Sequence, residues 1–310
     1  MEALALSSFD EPPALIEVPD PIVQAGEVLV RVAAASLNPY DAFVASGAAQ
    51  GYMAYEFPAV LGGDLAGTVE ALGDGVDGFG VGDRVFGMMG RKPSVHDGTF
   101  GGFAVPQAAA IAPTPDRVSD TDASTLGVAG TTAIEAVDAV EPAEGTMLLI
   151  IGATGGIGSF AIQLATLRGA RVIATVRPGD EGFVASLGAA ETVDYTAGTI
   201  AAIRERYPDG VDALIDAVGT GEGFEAAVGL VRKGGRASST RGAAQGEEVD
   251  GVTTLDANGN PARLPELAEL VAGGKVRVAV TRTYPFHDAA QALTDLIEQH
   301  TLGKLVITAG

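Results

Sequence analysis

The chain contains no cysteine. That excludes disulfides and every thiolate-bound metal. Histidine is scarce as well: His96, His287 and His300 lie far apart and form no metal-ligand pair, so each reads as a solvated or core residue. Long hydrophobic runs are missing. No stretch approaches the ~18 to 20 apolar residues of a transmembrane helix. The opening MEALALSSFDEPP lacks the basic region and apolar stretch of a signal peptide. A cytoplasmic location is therefore expected, with no membrane partner. Positive charge is also in short supply. Nineteen basic residues, only four of them lysines, face forty acidic ones, for a formal charge of −21. Such a surface repels a phosphate backbone, which argues against a nucleic-acid partner. The acidity suits either a high-salt environment or the ordinary solubility needs of an alanine-rich chain, and the second is the simpler reading.

What remains is a chain of 310 residues, 47% hydrophobic and with 43 glycines, about right for two domains. No internal repeat or low-complexity segment stands out. The first ~120 residues read as β-rich. EVLVRVAAAS (27–36) alternates as a strand does; DLAGTVEALG (64–73), a turn-rich stretch (74–83) and RVFGM (84–88) continue a coiled, barrel-like pattern, with short helices near 39–46 and 120–124. The texture changes near Ser119. VAGTTAIEAVDAV (128–140) has helical spacing, and strands then alternate with helices: TMLLIIGA (146–153), GIGSFAIQLATLRG (156–169), ARVIATV (170–176), a helix near 180–187, ETVDY (191–195), a helix near 199–206, VDALIDAVG (211–219), a helix near 222–231 and GGRASST (234–240). This alternation predicts a doubly wound parallel α/β sheet. Residues 282–308 depart from it and read as loop, helix and final strand, expected to return to the first domain.

The strongest motif lies at the first strand-to-helix turn, GATGGIGSFAIQLA (152–165). Gly155 and Gly158 carry the spacing G-x-x-G after Ala153. Glycine permits a tight turn and a close backbone approach to a pyrophosphate, which free N–H groups and the positive end of the next helix then hold. The motif follows a buried apolar run and opens an amphipathic helix, the context that makes it a nicotinamide-dinucleotide loop. NAD-selective sites carry an acidic residue at the end of the second strand. Here ARVIATV ends at Arg177, whose guanidinium suits a 2′-phosphate. That favours NADP(H), while NAD(H) stays possible because Asp180 and Glu181 follow closely.

These residues resemble the zinc-independent medium-chain dehydrogenase/reductases of the quinone oxidoreductase (zeta-crystallin-like) group. The resemblance rests on ASLNPYD (35–41), FPAVLGGDLAG (57–67), VGDRVFG (81–87), GTF (98–100), LGVAGTTA (126–133), GATGGIGSFAIQLA (152–165), LGAAETVDY (187–195), IDAVG (215–219) and GKLVI (303–307), in that order along the whole chain. It implies a GroES-like β-rich catalytic domain over 1–122 and 281–310, and a Rossmann domain over 123–280, with nicotinamide and substrate between them. It implies a homodimer built by sheet-edge pairing, for which 238–256 holds a late strand. The zinc-dependent relatives use a cysteine and a histidine for catalytic zinc; the corresponding positions here are Asn38 and Gly63, so no zinc of that type is expected. Carried over residue by residue, Thr154, Gly155, Gly156, Ile157 and Gly158 would line the pyrophosphate. Thr175, Arg177 and Tyr195 would flank the adenosine end, and Thr132, Val218 and Gly219 would approach the nicotinamide. Asn38 would sit beside the substrate, with Tyr52 or Tyr55 near it, and loops such as 47–57 and 88–98 would shape pocket specificity. Many NADPH-specific members carry a lysine where Asp180 stands here.

The expected chemistry is hydride transfer from NADPH to a small-molecule quinone or α,β-unsaturated carbonyl. Such acceptors are already electron-poor and need less Lewis-acid help than a simple ketone. The developing oxyanion would be met by Asn38, a tyrosine or cofactor hydroxyls, with the final proton from Tyr52, Tyr55 or water. Plainer roles stay open: Asn38 precedes Pro39 and suits a helix cap, the tyrosines suit packing, Asp41 suits a first helical turn and Thr132 suits a helix interior. Two further readings stand beside the enzyme: a non-enzymatic NADPH-binding redox sensor or structural protein, and a reductase of acyl-thioester enones, against which the acidic composition argues mildly.

Overall fold

The structure is a computed structural model describing residues 1–90, 94–244 and 246–309. It divides into two compact units. The first comprises Met1–Val128, Pro261–Gly273 and Val280–Gly310; the second comprises Ala129–Asn260 and Gly274–Ala279. Residues 123–128 and the helix Leu264–Ala272 thus pack with the first unit rather than with the parallel sheet. The reason lies in their contacts: Leu264, Leu267 and Ala268 turn one apolar helical face inward, and that helix meets the strand Ile111–Pro113.

The first unit is built on a seven-stranded sheet in the order Ile111–Pro113, Arg84–Met88, Asp64–Leu72, Val28–Ser36, Lys304–Thr308, Val280–Pro285, with Phe103–Ala104 also paired to Val28–Ser36. Val28–Ser36 is the hub. Its inward residues Val28, Val30 and Val32 join Leu65, Val69, Val85 and Phe100 in one core. Two register shifts against Asp64–Leu72 coil the pair. The last strand runs antiparallel to the hub, with Val306 opposite Ser36, so the ends Ser36, Asp64 and Lys304 of three adjacent strands meet at one edge of the sheet. Val280–Pro285 corrects the sequence expectation of a loop there. It is a strand parallel to Lys304–Thr308, reached by the helix Ala289–Glu298 as crossover. Its exposed residues 281–283 mark a sheet edge, and a solvated edge strand has no apolar alternation to read.

The second unit is a doubly wound sheet. Six strands run parallel in the order Glu191–Asp194, Arg171–Val176, Met147–Ile151, Val211–Asp216, Val231–Ser239, Val252–Asp256, and the short Glu248–Val249 closes the edge antiparallel. Met147–Ile151 is continuously apolar because both its faces are covered: Leu149 shares a core with Ile173, Leu214, Phe224 and Ile203, while Leu148 and Ile150, pointing the other way, are equally buried. The chain winds outward from Met147–Ile151 in one direction and from Val211–Asp216 in the other. Their adjacent C-terminal ends form the topological switch point, where such sheets bind ligands.

Candidate active site

At that switch point the strand Met147–Ile151 passes through residues 152–155 into the helix Gly156–Leu167. Gly155 is the N-cap and has no side chain to cap with, so the first-turn N–H groups of Gly156, Ile157 and Gly158 have no acceptor within the helix. Gly158 allows the helix to rest on the loop: a Cβ there would lie 2.3 Å from the carbonyl oxygen of Gly152. Thr175, buried on the neighbouring strand, accepts the Gly152 N–H at 3.2 Å and holds the loop to the sheet. Thr154 is buried within the loop. Amides with no acceptor within the helix, a helix N-terminus and glycines without side chains together suit an anionic pyrophosphate.

Flanking residues converge on the same end of the sheet. Arg177 follows one strand and Tyr195 the next; the Arg177 Nε–H donates to the Tyr195 hydroxyl at 2.5 Å, and the guanidinium lies 5.8 Å from the ring centroid. On the other side, Asp216 ends its strand buried. Its Oδ1 accepts the N–H groups of Val218 at 2.9 Å and Gly219 at 2.7 Å, an Asx-type turn that shapes the loop. Val218 is exposed on that loop. Thr132 is buried near the start of the helix Thr131–Val140 in the same unit.

Asn38 belongs to the first unit and lies at the sheet edge described above. Its backbone serves the helix Pro39–Ala45: the N–H donates to the Asp41 carboxylate at 2.7 Å. Its side chain lies in a buried polar cluster. Asn38 Nδ2 donates to Asp64 Oδ2 at 2.8 Å, and Lys304 Nζ donates to Asn38 Oδ1 at 2.6 Å. Lys304 also donates to the Leu37 carbonyl at 2.7 Å and stands 4.0 Å from Asp64 Oδ2. Ser36 donates to Asp64 Oδ2 at 2.9 Å and the Val128 N–H to Asp64 Oδ1 at 2.8 Å. Both oxygens of Asp64 accept, the behaviour of an ionised carboxylate. Asp41, Asp64 and Lys304 are at most 3% exposed. Burial pushes the Asp64 carboxyl up and the Lys304 ammonium down, and their mutual attraction opposes both shifts. Burial also pushes Asp41 up to about 7, with the nearby Asp64 charge adding to the rise and the Asn38 N–H and Lys304 opposing it.

Gly127 brings Val128 to Asp64. It lies in a π-helical turn, Leu126–Gly130, and a Cβ on it would sit 2.3 Å from Asp64 Oδ1. Sequence reasoning singled out Asn38, and saw Asp41 only as a first-turn residue. It did not connect Ser36, Asp64, Val128 and Lys304. A signal was present in GGD (62–64) and GK (303–304): a charged residue at the first position of an apolar strand is a candidate for burial with a partner.

The two tyrosines are separated by their surroundings. Tyr55 donates its hydroxyl to the Val44 carbonyl at 2.9 Å, and its ring packs edge-on to Phe9 at 4.8 Å. Tyr52 is 85% exposed, beside Phe43. Of the loop 88–98, expected from sequence to shape specificity, residues 91–93 lie outside the described residues. No group of three or more His, Asp or Glu able to hold a metal occurs among the described residues, and no helix among them is long and apolar enough to cross a membrane.

A β-rich unit with a buried polar cluster and a doubly wound unit with a glycine loop at its switch point together have the make-up of a two-domain oxidoreductase. Comparison with known proteins agrees. Residues 24–116 match the alcohol dehydrogenase GroES-like domain family, and residues 187–307 the family described as zinc-binding dehydrogenase. The chloroplast envelope quinone oxidoreductase homolog of Arabidopsis thaliana is 30% identical over 99% of this chain and 98% of its own length. The NADPH-dependent alkenal/one oxidoreductase of the same plant's chloroplast is 31% identical, covering 93% of this chain and 73% of its own. The quinone oxidoreductase from Coxiella burnetii superposes with a TM-score of 0.88 at 27% identity, covering 100% of this chain and 99% of its own. The chain belongs to the medium-chain dehydrogenase/reductase family, in its quinone oxidoreductase group, and is an oxidoreductase.

Proposed function

We propose that this chain is an NADPH-dependent reductase of quinones or α,β-unsaturated carbonyls that works without zinc. One observation carries the reading. Where zinc-dependent relatives place a metal-binding cysteine, Asn38 stands with its carboxamide oxygen taken by Lys304 and one of its two amide hydrogens by Asp64. The second ligand position is Gly63, which has no side chain, and the chain has no cysteine. This donor set does not fit zinc. An acceptor that is already electron-poor suits such a site, because hydrogen bonds alone can meet the charge that develops on its oxygen.

When bound, the dinucleotide supplies a hydride. The chain's own residues do the rest. The first-turn amides of Gly156, Ile157 and Gly158 hold the pyrophosphate, and Arg177 with Tyr195 receives the 2′-phosphate that distinguishes NADPH. Asn38 donates to the acceptor's carbonyl oxygen. The proton that completes reduction comes from Tyr52, whose hydroxyl has no partner among the described residues, or from water; Tyr55 is committed to Val44 and packs. The test is nicotinamide absorbance on mixing the protein with NADPH or NADH and a panel of quinones, enones and simple alcohols, with and without a chelator. Chelator-insensitive NADPH oxidation by a quinone or enone is expected. Tight NADPH binding with no turnover on any acceptor would replace the enzyme by a redox sensor.

A further inference from the structure

The Asn38 carboxamide is fixed in a way that a helix cap does not require. An asparagine amide can be turned over, exchanging its oxygen and nitrogen, unless its neighbours tell the two apart. Here they do. Lys304 has only hydrogens to offer, and it faces Oδ1 at 2.6 Å. The Asp64 carboxylate has only lone pairs, and it faces Nδ2 at 2.8 Å. Each neighbour is itself tied down, Lys304 by the Leu37 carbonyl and Asp64 by Ser36 and the Val128 N–H. Asp41 takes the Asn38 backbone N–H in a capping box and gives its own N–H to the Asn38 backbone carbonyl at 2.9 Å, so the hydrogen bonds that tell the two ends of the carboxamide apart are those to Lys304 and Asp64. Nδ2 carries two hydrogens, and only one goes to Asp64. The other has no acceptor among the described residues, on a side chain that is 4% exposed. An ammonium on the oxygen and a carboxylate on one N–H also polarise the amide in a low-dielectric setting.

We propose that Lys304 and Asp64 are positioning residues that clamp Asn38 in one orientation, so that its remaining Nδ2–H is aimed at the acceptor's carbonyl oxygen. This rests on the proposed reductase reading. Hydride addition to the β-carbon of an enone moves the π pair onto oxygen; that oxyanion takes the Asn38 hydrogen bond, and a proton from Tyr52 or water then completes the product. The clamp does its work by keeping Oδ1, which would repel the oxyanion, from facing it.

The test uses the full chain and two variants. Lys304→Met removes the ammonium alone. The double variant Lys304→Met/Asp64→Asn removes both charges, leaves no buried carboxylate unpaired and replaces it with a second carboxamide, which cannot distinguish the two ends of Asn38. The first readout needs no activity. The wild type has three asparagines, Asn38, Asn258 and Asn260, so selective ¹⁵N-asparagine labelling yields three side-chain amide pairs, and the double variant adds a fourth from position 64; Asn38 is identified in each background by its loss on adding Asn38→Ala. The wild-type Asn38 pair is expected to be widely split and slow to exchange with solvent; in the double variant the splitting collapses. The second readout is kinetic. With NADPH saturating, kcat of the folded double variant falls roughly 10- to 1,000-fold, as for loss of an oxyanion donor, while the acceptor KM stays within about threefold. An unchanged Asn38 pair in the folded double variant overturns the clamp. A collapsed pair with wild-type kcat overturns its catalytic use. A collapsed pair in a protein whose wild type reduces no acceptor supports the clamp and refutes the reductase reading instead.

Discussion

Asp41 should make the stability of this protein fall as pH rises through the mildly acidic range, and Asp41→Asn should remove that fall. Burial holds the carboxyl at about 7 in the folded chain against 3.8 when exposed. A raised carboxyl pKa means that between these values the folded protein keeps a proton the unfolded chain has lost. Its contribution is therefore greatest below pH 3.8 and is lost as pH climbs to about 7. At about 1.4 kcal/mol per unit, the span is on the order of 4 kcal/mol. Groups remote from Asp41 contribute alike to both proteins and cancel in the difference. The carboxamide of the variant still accepts the Asn38 N–H, so the helix start is preserved. Urea unfolding of both proteins from pH 4 to 8 gives the two curves. The wild type should lose stability relative to the variant from pH 4 to 7 and run parallel to it above. Parallel curves throughout would mean that Asp41 is ionised in the folded protein and that burial does not dominate its environment.

Gly158→Ala places a carbon 2.3 Å from the Gly152 oxygen, so the loop must move by about 1 Å; NADPH binding, followed by fluorescence, should weaken roughly 100-fold, and unchanged affinity would detach the loop from cofactor binding. Arg177→Ala should weaken NADPH by roughly 10- to 100-fold, one charge-assisted contact, and leave NADH untouched; equal losses for both would remove the 2′-phosphate reading. Tyr55→Phe gives up one hydrogen bond to Val44 and should lower stability by about 1 kcal/mol with little change in turnover, whereas a tenfold loss of kcat would restore Tyr55 as proton donor. Lys304→Met alone should cost about 3 to 5 kcal/mol by thermal unfolding, because Asp64 is left buried without its counter-charge, and adding Asp64→Asn should recover most of it.

The second unit was legible because its elements announce themselves locally. A strand buried on both faces has to be continuously apolar, as Met147–Ile151 is, and the glycines after it are confined to a few consecutive positions. Where burial is one-sided or absent the signal fades. Val280–Pro285 shows residues 281–283 to solvent and reads as loop. The helix Leu264–Ala272 carries a helical apolar spacing in Leu264, Leu267, Ala268 and Val271 that was present in the sequence, but it lies beyond the strand-helix alternation of 146–240. The strand Val231–Ser239 begins three residues earlier than GGRASST, since its first half is charged and exposed.

The polar cluster around Asn38 was illegible for a different reason. Its members are drawn from positions 36, 38, 41, 64, 128 and 304, and the bond that fixes the carboxamide joins residues 266 apart. No local period links them; they meet because the hub strand lies between its two neighbours in the sheet and all three present an end at one edge. Each residue alone has a bland explanation, as a cap, a surface acid or a strand-terminal lysine. Burial changes the account. A lysine and two aspartates that are at most 3% exposed carry desolvation costs that only mutual pairing and hydrogen bonding offset. A hydrophobic set of similar volume would be at least as stable, so stability alone does not explain why charge sits there. Fixing the direction of one amide does, because only a donor without lone pairs and an acceptor without hydrogens can tell its two ends apart.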